Sequence, residues 1–187
     1  DLSLLPISDY NKTKMISERI LLSYRDKINL QILRPATVCG YSPRMRLDLS
    51  VSMLTMQALT KGRITVFGGN QTRPNIHMND MIGVYLHFLE LGEKVTGVYN
   101  AGFENISIMD IAEKVTAFIP AQILVTESND PRSYRQNSDK LLSTGFTKKY
   151  GVEDGIKDVI AAHSSGGLKD KNRYKNIIVM KKLNNLY

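Results

Sequence analysis

Ser8-Asp9-Tyr10-Asn11-Lys12-Thr13-Lys14 sets a tyrosine and a lysine four residues apart, just behind residues suited to capping a helix. On a helix the two side chains share a face, about one turn apart. An ammonium beside a phenol favours the phenolate form. A phenol held that way can exchange a proton with a sugar or alcohol hydroxyl. The same spacing occurs on ordinary amphipathic helices, where tyrosine is half-buried and lysine solvated, so the rest of the chain must discriminate. Met15, Ile16, Ile20 and Leu21 give this helix an apolar stripe, and it is expected to run to about Tyr24. Ile28, Leu30 and Ile32 then alternate with polar residues in a strand expected to end at Pro35.

Three further blocks follow in order. They are Arg34-Pro35-Ala36-Thr37-Val38-Cys39-Gly40, then Gly68-Gly69-Asn70-Gln71-Thr72-Arg73-Pro74-Asn75-Ile76-His77-Met78-Asn79-Asp80, then Val98-Tyr99-Asn100-Ala101-Gly102. With the Tyr10–Lys14 pair, this series resembles the extended short-chain dehydrogenase/reductase family, the NAD-dependent nucleotide-sugar epimerases and dehydratases, over about residues 1–162.

The resemblance implies an α/β chain: the C-terminal part of a Rossmann-type, NAD(P)-binding fold plus a small α/β substrate-binding region. Residues 1–40 would end the Rossmann-type domain, 41–163 would form the nucleotide-sugar region, and 164–187 would be a basic tail. It further implies that Tyr10 is the acid/base on a sugar hydroxyl and that Lys14 holds the nicotinamide ribose and favours the phenolate. Pro35 would line the nicotinamide site, and a 4-keto sugar would be the intermediate. Arg73 matches a position that reaches the diphosphate, where a guanidinium fork suits phosphate oxygens, and Arg132 matches a second, phosphate- or ribose-side position. Arg44 is a further candidate from the adjoining loop. Phe67 matches a strand that passes the base, as a stacking aromatic or as a core residue. The implied partners are a nucleoside-diphosphate sugar, NAD, and a second copy of the chain docked through the Tyr-Lys helix. The family pattern also includes a Gly-rich strand-turn-helix and a catalytic Ser or Thr ahead of the tyrosine. Neither is in this sequence, so the chain by itself is expected to be inactive.

Alternating strand and helix patterns support the α/β class independently. A helix over 47–61 is stopped by Gly62, with its methionines read as core filler. A strand over 64–67 leads to a Gly-Gly turn. Asn79 or Asp80 is expected to start a helix with Met81, Val84, Tyr85, Phe88 and Leu89 on its packed face. Ser107 and Asp110 form a capping box for a helix with Ile108, Ile111, Ala112, Val115 and Phe118 on its apolar face. Strands are expected at 97–100 and 123–125, and Ser138 opens a short helix. The last amphipathic helix is expected over 152–163. Ser164-Ser165-Gly166-Gly167 reads as a flexible boundary, after which Ile177-Ile178-Val179-Met180 either docks or stays mobile.

The net charge is +7, but six basic residues and one acid lie beyond residue 163, leaving the body at only +2. That pattern, without basic patches interleaved with aromatics, argues against a specific nucleic-acid platform. Apolar runs are short and charge-interrupted, so no membrane span is expected. The lone Cys39 excludes an internal disulfide and fits a reducing, cytoplasmic setting as a buried structural thiol. His77, His87 and His163 lack metal-ligand spacing, and no metal is expected. Two other functions stay open: a non-catalytic nucleotide-sugar-binding or dimerisation module, and a polyanion binder acting through the tail.

Overall fold

The computed structural model describes residue 6, residues 8–128 and residues 132–184. Ser8 caps α1 (Asp9–Leu22), its hydroxyl accepting from the Asn11 amide at 3.2 Å. The helix stops at Leu22, short of Tyr24, with Ser23 as its C-cap. β1 (Gln31–Pro35) and β2 (Thr37–Cys39) follow, then α2 (Ser50–Lys61), β3 (Arg63–Phe67), β4 (Thr72–His77), α3 (Met78–Leu91) and β5 (Gly97–Ala101). The chain continues with β6 (Glu104–Ser107), α4 (Ile108–Phe118), β7 (Gln122–Thr126), α5 (Asp139–Leu142), α6 (Val152–Ser164), a short 3-10 turn (Asn172–Tyr174) and α7 (Asn176–Asn184).

The strands form three small sheets. β1 pairs in parallel with β5, in register from Gln31 opposite Gly97 to Pro35 opposite Ala101. β4 lies between parallel β2 and antiparallel β6, and β3 pairs in parallel with β7. Parallel pairs need long crossovers and both faces covered, which is the Rossmann-like, mixed α/β pattern read from the sequence. The β1–β5 ladder ties the first forty residues to a strand sixty residues further on.

Three clusters of buried side chains hold the elements together. One packs α2, α4 and α6 around Ile64 and Val66 of β3 and includes Cys39. A second packs Met81, Val84 and Phe88 of α3 against Tyr99 and Ala101 of β5 and Leu141 of α5. The third joins Met45 and Leu47 to Met56 of α2, Val159 of α6, Leu168 and Tyr174. This last cluster corrects the flexible boundary read at Ser164–Gly167. Leu168 is only 1% exposed, Leu47 donates its amide to the Tyr174 carbonyl at 2.8 Å, and the chain past the turn is docked. It also explains why α2 starts at Ser50 rather than at residue 47, since Met45 and Leu47 are buried beside Leu168 and Tyr174. α6 is followed by α7 and is not the last helix.

Local signals held where the cause is local. Ser107 and Asp110 form the expected capping box, and Gly62 ends α2 at φ 61°, in the left-handed region that favours glycine. Helix faces were less faithful. In α1, Ile16, Ile20 and Leu21 are exposed, and the partly buried residues are Met15, Glu18 and Leu22. In α3, Tyr85 and Leu89 are exposed, as is Phe118 in α4. Periodicity marks an apolar stripe but not the element that covers it. The cap of α3 is His77, whose Nδ1 accepts from the Asn79 amide at 3.2 Å. Asp80 is buried inside the first turn, and its carboxylate accepts from the amides of Lys149 and Tyr150.

Truncating Leu168 to alanine should lower the stability of the chain by about 2–4 kcal/mol, the usual cost of a Leu-sized cavity. The drop is measured as a reduced urea midpoint. An unchanged midpoint would show that the third cluster does not hold in solution.

Candidate functional site

Tyr10 stands in the first turn of α1 and is 68% exposed, with the Lys14 ammonium 5.7 Å from its ring centroid. The pair therefore sits together on one helix, as its spacing requires. Four residues further along the helix, Glu18 receives both arms of Arg34: Nε at 2.9 Å and Nη2 at 2.5 Å. Hydrogen bonding to Glu18 raises the Arg34 pKa above its ordinary value, outweighing the opposing effect of partial burial. Pro35 follows at the C-terminal end of β1, exposed and in register with Ala101.

A second group gathers where β4 leaves its Gly-Gly turn. The Arg73 guanidinium hydrogen-bonds the carbonyls of Thr72, at 3.1 Å, and of Arg132. It also lies 5.6 Å from the Tyr134 ring centroid. Thr72 donates its amide to the Ser133 hydroxyl, and Tyr134 donates its amide to the Thr72 carbonyl at 3.2 Å, so this segment runs along the β4 edge. Phe67 is 54% exposed at the end of β3, which removes the core reading of that ring. Gln71 clasps the same turn, accepting from the Gly69 amide and donating to the Phe67 carbonyl. The structure thus brings Phe67, Arg73 and Arg132 to one corner. Arg44 is elsewhere: its Nη2 lies 3.3 Å from Asn176 Oδ1, at the start of α7. Asp130 and Pro131 lie outside the described residues.

Gln136 joins the two groups. Its Nε2 donates to the Arg34 carbonyl at 2.8 Å, while Asn105 pairs with its backbone, accepting from the amide and donating to the carbonyl. Asn100 reaches the same segment by donating to the Asn137 carbonyl. The Ser138 hydroxyl exchanges hydrogen bonds with the amide and carbonyl of Gly102. A Cβ at residue 102 would lie 2.3 Å from Gln136 Oε1 and 2.6 Å from Ala36 Cβ, so only glycine lets β5 and this segment close. Beside them is a cleft of about 410 Å³, whose lining includes Gly102, Asn105, Arg135, Gln136 and Lys148. Gln136 and Glu18 were missed in the sequence. Glu18 continues the four-residue step of Tyr10 and Lys14 along the helix, a signal that could have flagged it; Gln136 had none.

The later half of the second sequence block is structural. His77 Nε2 lies 3.1 Å from Asp158 Oδ2, its ring stacks on Tyr150 at 4.8 Å, and its Nδ1 caps α3, so the proton belongs on Nε2. Cys39 is buried against α6, and desolvation pushes its thiol up to about 12. No group of three or more metal-binding side chains occurs among the described residues, and no helix among them is long and apolar enough to cross a membrane.

Parallel strand pairs covered by helices make this a mixed α/β protein of the Rossmann-like class. Residues 1–102 match the NAD dependent epimerase/dehydratase family, and the chain belongs to it. It is 28% identical to UDP-glucose 4-epimerase of Lactobacillus helveticus, the match covering 86% of this chain and 56% of that protein. It is 26% identical to anthocyanidin reductase of Arabidopsis thaliana, covering 85% of this chain and 49% of that protein. The crystal structure of UDP-glucuronic acid 4-epimerase from Bacillus cereus, in complex with UDP-glucuronic acid and NAD, superposes with a TM-score of 0.75. There the identity is 27%, over 88% of this chain and 55% of that one. The chain spans about half the length of the relatives it matches. NAD is the cofactor of the family.

Two measurements test this geometry. Cys39 should resist a disulfide-exchange reagent at pH 8 in the folded chain and react at once in denaturant, because a thiol near 12 is almost wholly protonated there. Gly102→Ala should cost about 1–3 kcal/mol through the overlap with Gln136 and Ala36, again read as a lower urea midpoint.

Proposed function

We propose that this chain forms the substrate-facing, C-terminal part of an NAD-dependent epimerase or dehydratase acting on a nucleoside-diphosphate sugar, an isomerase or lyase. The observation that carries the reading is the join at Gln136, which hangs the Tyr10–Lys14 helix and the Arg73–Arg132 corner on one strand end. Tyr10 exchanges a proton with a sugar hydroxyl. Lys14 lies beside it and holds the nicotinamide ribose, and Pro35 shapes that wall without offering an amide. Arg73 and Arg132 clamp the diphosphate and Phe67 stacks on the base. Arg44, anchored toward α7, is at most a peripheral contact. When bound, NAD supplies hydride exchange at the sugar carbon, through a 4-keto sugar. The groups present fit the nicotinamide end only, for the sequence contains no G-x-G-x-x-G run to cradle a pyrophosphate. The chain is therefore proposed to need such a unit for turnover.

The division at residues 40 and 163 enters this reading as a functional one: proton exchange within 1–40, sugar-nucleotide recognition over 41–163, and a basic tail over 164–187. The exposed Ile16, Ile20, Leu21 and Tyr24 support a homodimer through α1. The single reduced thiol supports a cytoplasmic setting.

Calorimetric titration of the 187-residue chain tests the reading. UDP-glucose should bind and NAD should not, and Arg73→Ala should weaken UDP-glucose about tenfold or more, the worth of one charge-assisted contact. Tight NAD binding would overturn the need for a separate cradle. Failure of UDP-glucose to bind would overturn the assignment of the arginine corner.

A further inference from the structure

α1 carries Tyr10 and Lys14 yet buries no residue in any core. Met15 and Leu22 are only partly covered, and the side-chain hydrogen bonds between this helix and the sheet, among the described residues, are all donated by Arg34 to Glu18. The Glu18 side chain is 13% exposed and that of Arg34 35%, so this is a partly desolvated fork rather than a loose surface pair. Two parallel bonds to a planar guanidinium fix direction as well as distance. A single bond, or an ammonium in place of the guanidinium, leaves the helix free to swivel.

Arg34 has a second tie. Its carbonyl accepts from Gln136 Nε2 at 2.8 Å, within the segment that also holds Arg132. One residue thus sets the helix with its side chain and the substrate-side segment with its backbone. Resting on the acid/base reading of Tyr10, we propose that Arg34 and Glu18 are positioning residues. Their fork sets the rotation of α1 and so the place of the Tyr10 hydroxyl relative to a sugar held by the arginine corner. Neither residue touches the reacting atoms. Glu18 is eight residues from Tyr10, about 12 Å along a rigid helix, so a small swivel at the fork carries through to the hydroxyl. A displacement of about 1 Å at a reacting group costs up to about 100-fold in rate.

Two measurements decide it. Hydrogen exchange on the 187-residue chain needs no turnover. Arg34→Met should speed amide exchange in α1 by about tenfold or more while α2 and α4 keep their protection, and Arg34→Lys should fall between. Equal exchange in α1 for all three proteins would overturn the tether. Turnover of UDP-glucose by the complete gene product supplies the second readout. Arg34→Met and Glu18→Gln should lower kcat about 10- to 100-fold with KM within about twofold, and Arg34→Lys should recover part of the loss. A merely structural pair would reduce the amount of folded protein and leave kcat per folded molecule unchanged, which overturns the positioning role. Tyr10→Phe separates the two claims. If it abolishes turnover while Arg34→Met does not slow it, the acid/base reading stands and the positioning inference falls. If Tyr10→Phe turns over at full rate, the acid/base reading has failed and the positioning role falls with it.

Discussion

Parallel pairing of β1 with β5 is the constraint from which the rest follows. A two-stranded parallel sheet is weak by itself and persists only where side chains cover it. Tyr99 and Ala101 of β5 are buried with α3 and α5, and Leu33 of β1 packs against the same cluster. That burial fixes the height of Arg34 and Pro35. α1 then needs only a polar anchor to be placed, and Glu18 provides it. Across the ladder, Asn100 and Gly102 present the hydrogen bonds that draw residues 136–138 against the strand ends. The Tyr-Lys helix and the arginine corner are related through this short ladder rather than through direct contact.

Polar groups do unusual duty at the joints. Asp80 spends a buried carboxylate on the amides that lead into α6, and His77 is at once a helix cap, a partner of Asp158 and a stacking surface for Tyr150. Each satisfies backbone donors from a buried side chain. These residues sit within a block that resembles a family motif, yet their work here is architectural. The proposed phosphate contact falls to Arg73, earlier in that block, and to the segment that answers it.

How much of this was legible in the sequence depended on the range of the cause. Gly62, and Ser107 with Asp110, act within a few residues and were read correctly from neighbours in the chain, and Ser8 is one of the two caps that Ser8 and Asp9 offered. Tyr85, Leu89 and Ile20 have the spacing of packed residues but face outward, because the covering element is not written in the helix that needs it. The docking of Leu168 and Tyr174 depends on Met45 and Leu47, more than a hundred residues earlier, and no local pattern announces it. Of the proposed site residues, Tyr10, Lys14, Arg73 and Arg132 stand out in the sequence as motif positions. Arg44, a further candidate from the adjoining loop without a motif behind it, reaches Asn176. Gln136 owes its role to a close approach at Gly102 that only three-dimensional closure creates.

α6 belongs to more than one core. Val152 and Ile156 lie in the first cluster and Val159 in the third, while Asp158 holds the histidine that caps α3. A helix shared in this way couples the first and third clusters, since neither can loosen without disturbing α6. The parts that α6 joins are therefore expected to unfold together, whereas α1, which buries no residue in a core, should detach at lower cost.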